Sequence, residues 1–222
     1  SEGNYLLVTF FGAAVRWAGG RSLMEALGAE ADALRGQGRR PFVVPYGGSN
    51  GLGGCGFVEG FVEVMRQAQE RDLDFDAIVV ASSSGGTQAG LTVGACALES
   101  PTRVIGISIA DRNPVLRQNL VGIAAQIQSR LDLDIDLGPE QFITVDDYLG
   151  GGYGVVDELE RQAIRMLAQT EGLLADPVYT GRALGGLIDL VRKGTFDRDE
   201  RLLFWHTGGS PALYAYAEDL LQ

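Results

Sequence analysis

The chain has 222 residues, 45% of them apolar and 21% charged, enough to build a core and too apolar for a disordered segment. Twenty-nine acidic against eighteen basic residues leave a formal charge of −11, a sign that repels phosphate backbones and argues against nucleic acid as a partner. No apolar run reaches the roughly 18 residues of a membrane span; the opening residues carry no secretory leader, and two cysteines, Cys55 and Cys96, make no disulfide framework, so a reduced, cytoplasmic protein is expected.

In chain order, Tyr5–Phe11 reads as a short helix and Ala14–Trp17 as a strand. Ser22 suits an N-cap for a helix to about Arg35, with Leu23, Leu27, Ala31 and Leu34 on one face. Phe42–Pro45 reads as a strand, and Gly51–Gln69 as a helix after a glycine-rich turn. Ala77–Ala81 is continuously apolar, as a strand covered on both faces should be. Helix Gln88–Leu98, strand Val104–Ile109, and helix Pro114–Arg130 with proline in its first turn follow. Strand Phe142–Val145, helices Val156–Thr170 and Arg182–Arg192, strand Leu202–His206 and helix Pro211–Leu221 complete the series. Strands alternating with helices of this length predict an α/β protein, an open, mostly parallel sheet with helices on both faces. In such sheets ligands sit at the carboxyl ends of the strands.

Glycine is unusually frequent, 32 of 222, and clusters in turns. The strongest local signal is Ile78–Leu91, a buried strand running into Ser82-Ser83-Ser84-Gly85-Gly86-Thr87 and then a helix of small residues. The N–H groups of such a bend and the helix N-terminus suit a phosphate without any lysine or arginine, although a tight turn needing glycine for sterics alone has the same pattern. It is neither a dinucleotide fingerprint nor a Walker sequence. Further glycine turns are Pro45–Gly53, Tyr148–Val155, Asp176–Arg182 and Leu203–Leu213. Four glycine turns are predicted to follow strands directly and to open on one rim, around a small-molecule cleft. His206, the only histidine, reads as structural, and with the two cysteines it lacks metal-ligand spacing. Seventeen of the eighteen basic residues are arginine; the one lysine is Lys193.

Val43–Asn50 with Leu52-Gly53, then Ser82–Leu91, Tyr153-Gly154-Val155, Asp176–Gly181 and His206–Leu213 occur in the order seen in the D-cysteine desulfhydrase and 1-aminocyclopropane-1-carboxylate deaminase family of fold-type II pyridoxal-phosphate enzymes, which this chain resembles over nearly its whole length. The resemblance implies a tryptophan-synthase-β-like fold, with residues 1–50 as the end of a small domain and crossover and residues 51–222 as the large coenzyme-binding domain. It implies pyridoxal 5′-phosphate as cofactor, with Ser84, Gly85, Gly86 and Thr87 on its phosphate, and Thr180 and Thr207 on the side of its ring nitrogen. Tyr153 matches a tyrosine of the substrate pocket, and Tyr179 one close to the cofactor and reacting carbon. Where the deaminase branch has a glutamate facing the pyridine nitrogen, this chain has Thr180, as in the desulfhydrase branch. A neutral hydroxyl there makes a weaker electron sink, suited to expelling a good leaving group such as sulfide.

The departure lies at the front. Family members carry the Schiff-base lysine in an Asn-Lys-x-Arg-Lys stretch near their N-terminus, followed by a Ser-Asn pair on the cofactor, and this sequence has neither. Roughly a hundred residues of the family pattern are absent, and Lys193, beside Arg192 at a solvated helix end, is no substitute. The expectation is a carbon–sulfur lyase taking D-cysteine or a related small amino acid to pyruvate, ammonia and sulfide. It would be complete only with a companion segment or chain that supplies the lysine, in a homo- or hetero-oligomer. The rival readings are an aminocyclopropane-carboxylate-type deaminase and a non-catalytic subunit that binds pyridoxal phosphate or phosphate.

Overall fold

Ala77–Ser82, β1, is the middle of the molecule because its side chains are apolar on both sides of the pleat; Ala77 through Val80 are fully inaccessible. The computed structural model describes residues 3–221. β1 pairs in parallel with β2 (Arg103–Ser108) on one side and β4 (Leu202–Trp205) on the other; β3 (Ile143–Val145) pairs in parallel with β2, giving the order β3-β2-β1-β4. Ile78 and Val80 face Phe61 of α3 (Gly51–Gln69) and Leu91 and Ala95 of α4 (Gly86–Ala97). Ala77 and Val79 face Tyr148, Phe196, and Ala183 and Leu187 of α7 (Thr180–Arg192). The helices thus lie on both faces, as the alternating pattern predicts.

The connections place the cleft. The chain passes from β1 to β2 through α4, and from β2 to β3 through α5 (Asn113–Leu131). It then returns through α6 (Glu158–Glu171) and α7 to lay β4 on the other flank of β1. Strand order reverses between β1 and β4, and a crevice at the carboxyl ends of strands that part in this way is where open α/β sheets bind ligands.

Helices α3 and α4 cross on glycine. A Cβ on Gly90 would lie 2.4 Å from the Gly54 carbonyl oxygen and 2.5 Å from Phe57 Cβ, so the backbones touch. Gly90→Ala is expected to cost about 1–3 kcal/mol by overpacking. Gly56→Ala, on the facing helix α3 with open space around it, should stabilise by about 0.5–1 kcal/mol through helix propensity. Chemical denaturation midpoints check both, and a neutral Gly90→Ala would contradict this crossing.

Three elements differ from expectation. Ala14–Trp17 and Phe42–Pro45 form no strand: both are irregular, and Trp17 stacks on Tyr5 at 5.9 Å while Phe42 is 77% exposed. Their residues have β propensity but pair with no sheet edge, and propensity alone does not make a ladder. The last helix divides into α8 (Pro211–Ala215) and α9 (Ala217–Leu220), because Tyr216 (φ −114°, ψ 18°) leaves helical geometry. Elsewhere α1 (Gly3–Phe10), α2 (Leu23–Gly36), α3, β1, β2 and α5 fall where the sequence puts them, and Ser22 and Glu25 form a capping box on α2.

Candidate active site

The bend after β1 is built by one left-handed glycine. Gly85 (φ 92°, ψ −13°) turns the chain sharply enough for α4 to begin at Gly86, two residues before the apolar periodicity announces it. The first N–H groups of a helix have no intrahelical acceptor. That of Gly86 donates to Ser49 Oγ at 3.1 Å, and Ser49 Oγ donates to Ser84 Oγ at 2.7 Å. Those of Thr87 and Gln88 find no acceptor among the described residues. The approach of the 46–49 turn is close: a Cβ on Gly86 would lie 2.7 Å from Ser49 Oγ and 3.1 Å from Ser49 Cα.

Between the bend, Ser49, Tyr179 and Thr207 lies a chamber of about 130 Å³. Ser82, on its wall, has its Oγ buried with no hydrogen-bond partner among the described residues, while Gln88 turns its amide away toward Gly106, with Nε2 donating to the Ile143 carbonyl at 2.8 Å. Unpartnered N–H groups, an orphaned buried hydroxyl and a helix N-terminus, with room several times the roughly 30 Å³ of one water, suit the phosphate of an organic coenzyme. A larger cavity of about 610 Å³ adjoins it, sharing Ser49, Ser83 and Ser84 and reaching Tyr46, Asp111, Gln126 and Tyr153.

Tyr179 stands at the start of α7, fixed by Asp176. That buried carboxylate accepts the N–H groups of Val178 (2.9 Å), Tyr179 (2.8 Å) and Thr180 (2.7 Å), and the Thr180 hydroxyl at 2.7 Å. It thereby caps the helix with negative charge at its positive end. Tyr153, on the glycine loop after β3, reaches across, and its hydroxyl hydrogen-bonds that of Tyr179 with the rings edge-on at 5.8 Å. Burial, reinforced by the nearby Tyr46 hydroxyl, raises both phenols above the ordinary tyrosine range, so each keeps its proton at neutral pH.

The residues singled out from the sequence therefore fall into two groups. Ser84, Gly85, Gly86, Thr87, Tyr179 and Thr207 border one chamber, and Tyr153 borders the cavity beside it. Thr180 lies outside both: it is fully buried, with its hydroxyl on Asp176. Three of the four turns expected to follow strands do so; the fourth, Pro45–Gly53, follows irregular chain yet still reaches the rim through Ser49. His206 is structural in geometry, its Nδ1 accepting the Gly208 N–H and its Nε2 facing the Leu174 carbonyl, both at 3.0 Å. Lys193 ends α7, about 20 Å along the helix from Thr180, and pairs with Asp189 at 2.6 Å. Sequence reasoning had Ser82 and Gln88 inside the bend motif without a role, and missed the roles of Ser49 and Asp176, because these depend on how separate segments approach in the fold. For Ser49 and Asp176 the signal was their place inside glycine turns already noted.

Known proteins resemble this chain over nearly its whole length. The family described as pyridoxal-phosphate dependent enzyme matches residues 1–208. The D-cysteine desulfhydrase of Klebsiella pneumoniae (strain 342) is 40% identical over 223 residues, which cover 97% of this chain and 65% of that protein. That of Serratia proteamaculans (strain 568) is 41% identical over 222 residues with the same coverages. A crystal structure described as an ACC deaminase homologue superposes with a TM-score of 0.89 at 35% identity, over 99% of this chain and 66% of that one. The chain thus spans just under two thirds of the length of these relatives.

Proposed function

This chain belongs to the pyridoxal-phosphate-dependent enzymes, and from that membership we propose that it forms the larger part of a carbon–sulfur lyase of the D-cysteine desulfhydrase kind. Its substrate would be D-cysteine or a related small amino acid, eliminated to pyruvate, ammonia and sulfide. The observation that carries the reading is the shared rim: an anion seat without a cationic side chain on the β1 bend, beside two phenols held in their protonated form.

Bound in the chamber, pyridoxal phosphate would supply electron withdrawal from the substrate α-carbon. Ser84, Gly85, Gly86 and Thr87 would hold its phosphate, with Ser82 Oγ as a further donor. Thr207 would serve the ring side from the chamber wall, and Thr180 would act there through its place beside Asp176 and the Gly208 carbonyl, 3.4 Å from its hydroxyl. Neither threonine carries charge, which favours expulsion of a good leaving group over ring opening. The neutral Tyr179 Oη, at the edge of the chamber, would hold a proton for the departing sulfur. Tyr153 orients that hydroxyl and closes the substrate side.

A lysine is still needed to anchor the coenzyme and to move the α-proton. Lys193 is at the wrong end of α7, so the group would come from a companion segment or chain. The surface supports such a cover: Phe10, Phe11, Trp17 and Phe42 are each more than 75% exposed, and exposed apolar surface of this kind marks an interaction face. We place the assembly in the cytoplasm, where Cys55 and Cys96 stay free thiols; no helix of the described residues is long and apolar enough to cross a membrane. The test is release of sulfide and pyruvate from D-cysteine and L-cysteine, and of ammonia and a four-carbon 2-oxo acid from 1-aminocyclopropane-1-carboxylate, by the completed enzyme. Elimination of D-cysteine is expected to lead; turnover of the cyclopropane alone would overturn the lyase reading.

A further inference from the structure

Arg182 is wholly inside the protein, and nothing in the proposed chemistry uses it. We propose that Arg182, held by Glu160, is a positioning residue that sets Tyr153 against Tyr179; the inference rests on the reading of those two tyrosines as catalytic. Its Nε donates to Glu160 Oε1 at 2.5 Å, both side chains being at most 1% exposed. Nη1 donates to the carbonyls of Leu149 and Gly152, each at 2.9 Å, and lies 3.3 Å from that of Ile109; Nη2 donates to the Val155 carbonyl at 2.6 Å. Three of these four carbonyls belong to the loop that presents Tyr153, and they bracket it on both sides.

The loop needs such a grip. Gly150, Gly152 and Gly154 all have positive φ (54°, 116° and 76°), a conformation that glycine enters freely and leaves as freely. Glu160 completes the clamp, since its second oxygen accepts the Asp157 N–H at 2.9 Å and Asp157 Oδ2 accepts the Gly151 N–H at 3.2 Å. Arg182 also sits three residues after Tyr179, one helical turn along α7. One side chain therefore ties the loop of Tyr153 to the helix of Tyr179. An arginine stays charged when buried and offers a planar fork of donors, which is what several converging carbonyls require. A merely structural ion pair, by contrast, can be exchanged for neutral side chains without disturbing the site.

The experiment compares the holoenzyme with Arg182→Met/Glu160→Gln, which removes both charges together so that neither is left buried alone. The expected result is a folded protein, by circular dichroism and thermal midpoint, whose turnover falls about 30–100-fold from misplacement of the phenols. In parallel, tyrosine Cζ NMR should show Tyr153 ionising near the ordinary value of about 10 rather than above it. Arg182→Lys, which keeps the Glu160 pair but lacks the fork, should recover turnover to within about tenfold of the native enzyme. A folded double variant with native turnover and native Tyr153 titration would overturn the proposal. Should the double variant not fold, Glu160→Gln alone carries the test: a drop of about 3–10-fold with a partial titration shift is expected, and no change in either overturns it. The titration reports on position without any coenzyme chemistry, so a fully active Tyr179→Phe enzyme would sink the catalytic reading separately.

Discussion

Tyr179→Phe should lower the turnover of the completed enzyme about 10²–10³-fold, while coenzyme affinity changes by less than about threefold. The hydroxyl is the one atom removed. Asp176 still caps α7 through three backbone N–H groups, so the helix and the aromatic wall of the chamber stay in place. What disappears is a proton kept at neutral pH by burial and by the phenols of Tyr153 and Tyr46. Tyr153→Phe should cost less, about tenfold, because it removes a partner of that hydroxyl rather than the hydroxyl itself. Initial rates of sulfide release with saturating coenzyme check both, and equal losses in the two variants would mean that the phenols act as one unit.

Gly86→Val should lower affinity for pyridoxal phosphate about 10²-fold or more, measured by equilibrium dialysis. The added side chain cannot fit: a Cβ alone would press on Ser49 Oγ and Cα, and the branched atoms would enter the space over the bend. Losing even one or two charge-assisted N–H bonds to a phosphate, at about 1.5–3 kcal/mol each, accounts for a change of that size. Because Gly86 has an ordinary helical φ, the effect is one of space and not of backbone strain, so Gly86→Ala should be the milder of the two, with Ser49 giving way by rotation.

How much of this was legible beforehand follows from the physics of each feature. β1 declares itself through consecutive apolar residues, α3 follows a glycine-rich turn and α5 carries proline in its first turn, and their limits fall within about a residue of the structure. The bend after β1 was legible because glycine and serine clustered there can serve few purposes. Ala14–Trp17 and Phe42–Pro45 misled because residue type reports what a strand tolerates and not whether an edge is in reach. Ser49 was visible as part of a glycine turn, but its bond to the Gly86 N–H spans 37 positions and no local pattern encodes it. Thr180 was assigned a ligand-facing role by resemblance, whereas its hydroxyl in the fold goes to a carboxylate four residues earlier. Arg182 was least legible of all, since an arginine in the first turn of a helix reads as surface charge until Glu160 and the glycine loop close over it.

If the β1 bend is the seat of the coenzyme phosphate and the anchoring lysine is supplied from elsewhere, this chain should bind the coenzyme without capturing it covalently. The most direct measurement is titration of this chain by itself with pyridoxal phosphate, followed by reductive trapping with borohydride and mass analysis. Reversible binding that inorganic phosphate displaces, that Gly86→Val abolishes and that leaves Lys193 unmodified is the result expected. Covalent capture on Lys193, or binding that phosphate and Gly86→Val leave untouched, would contradict it.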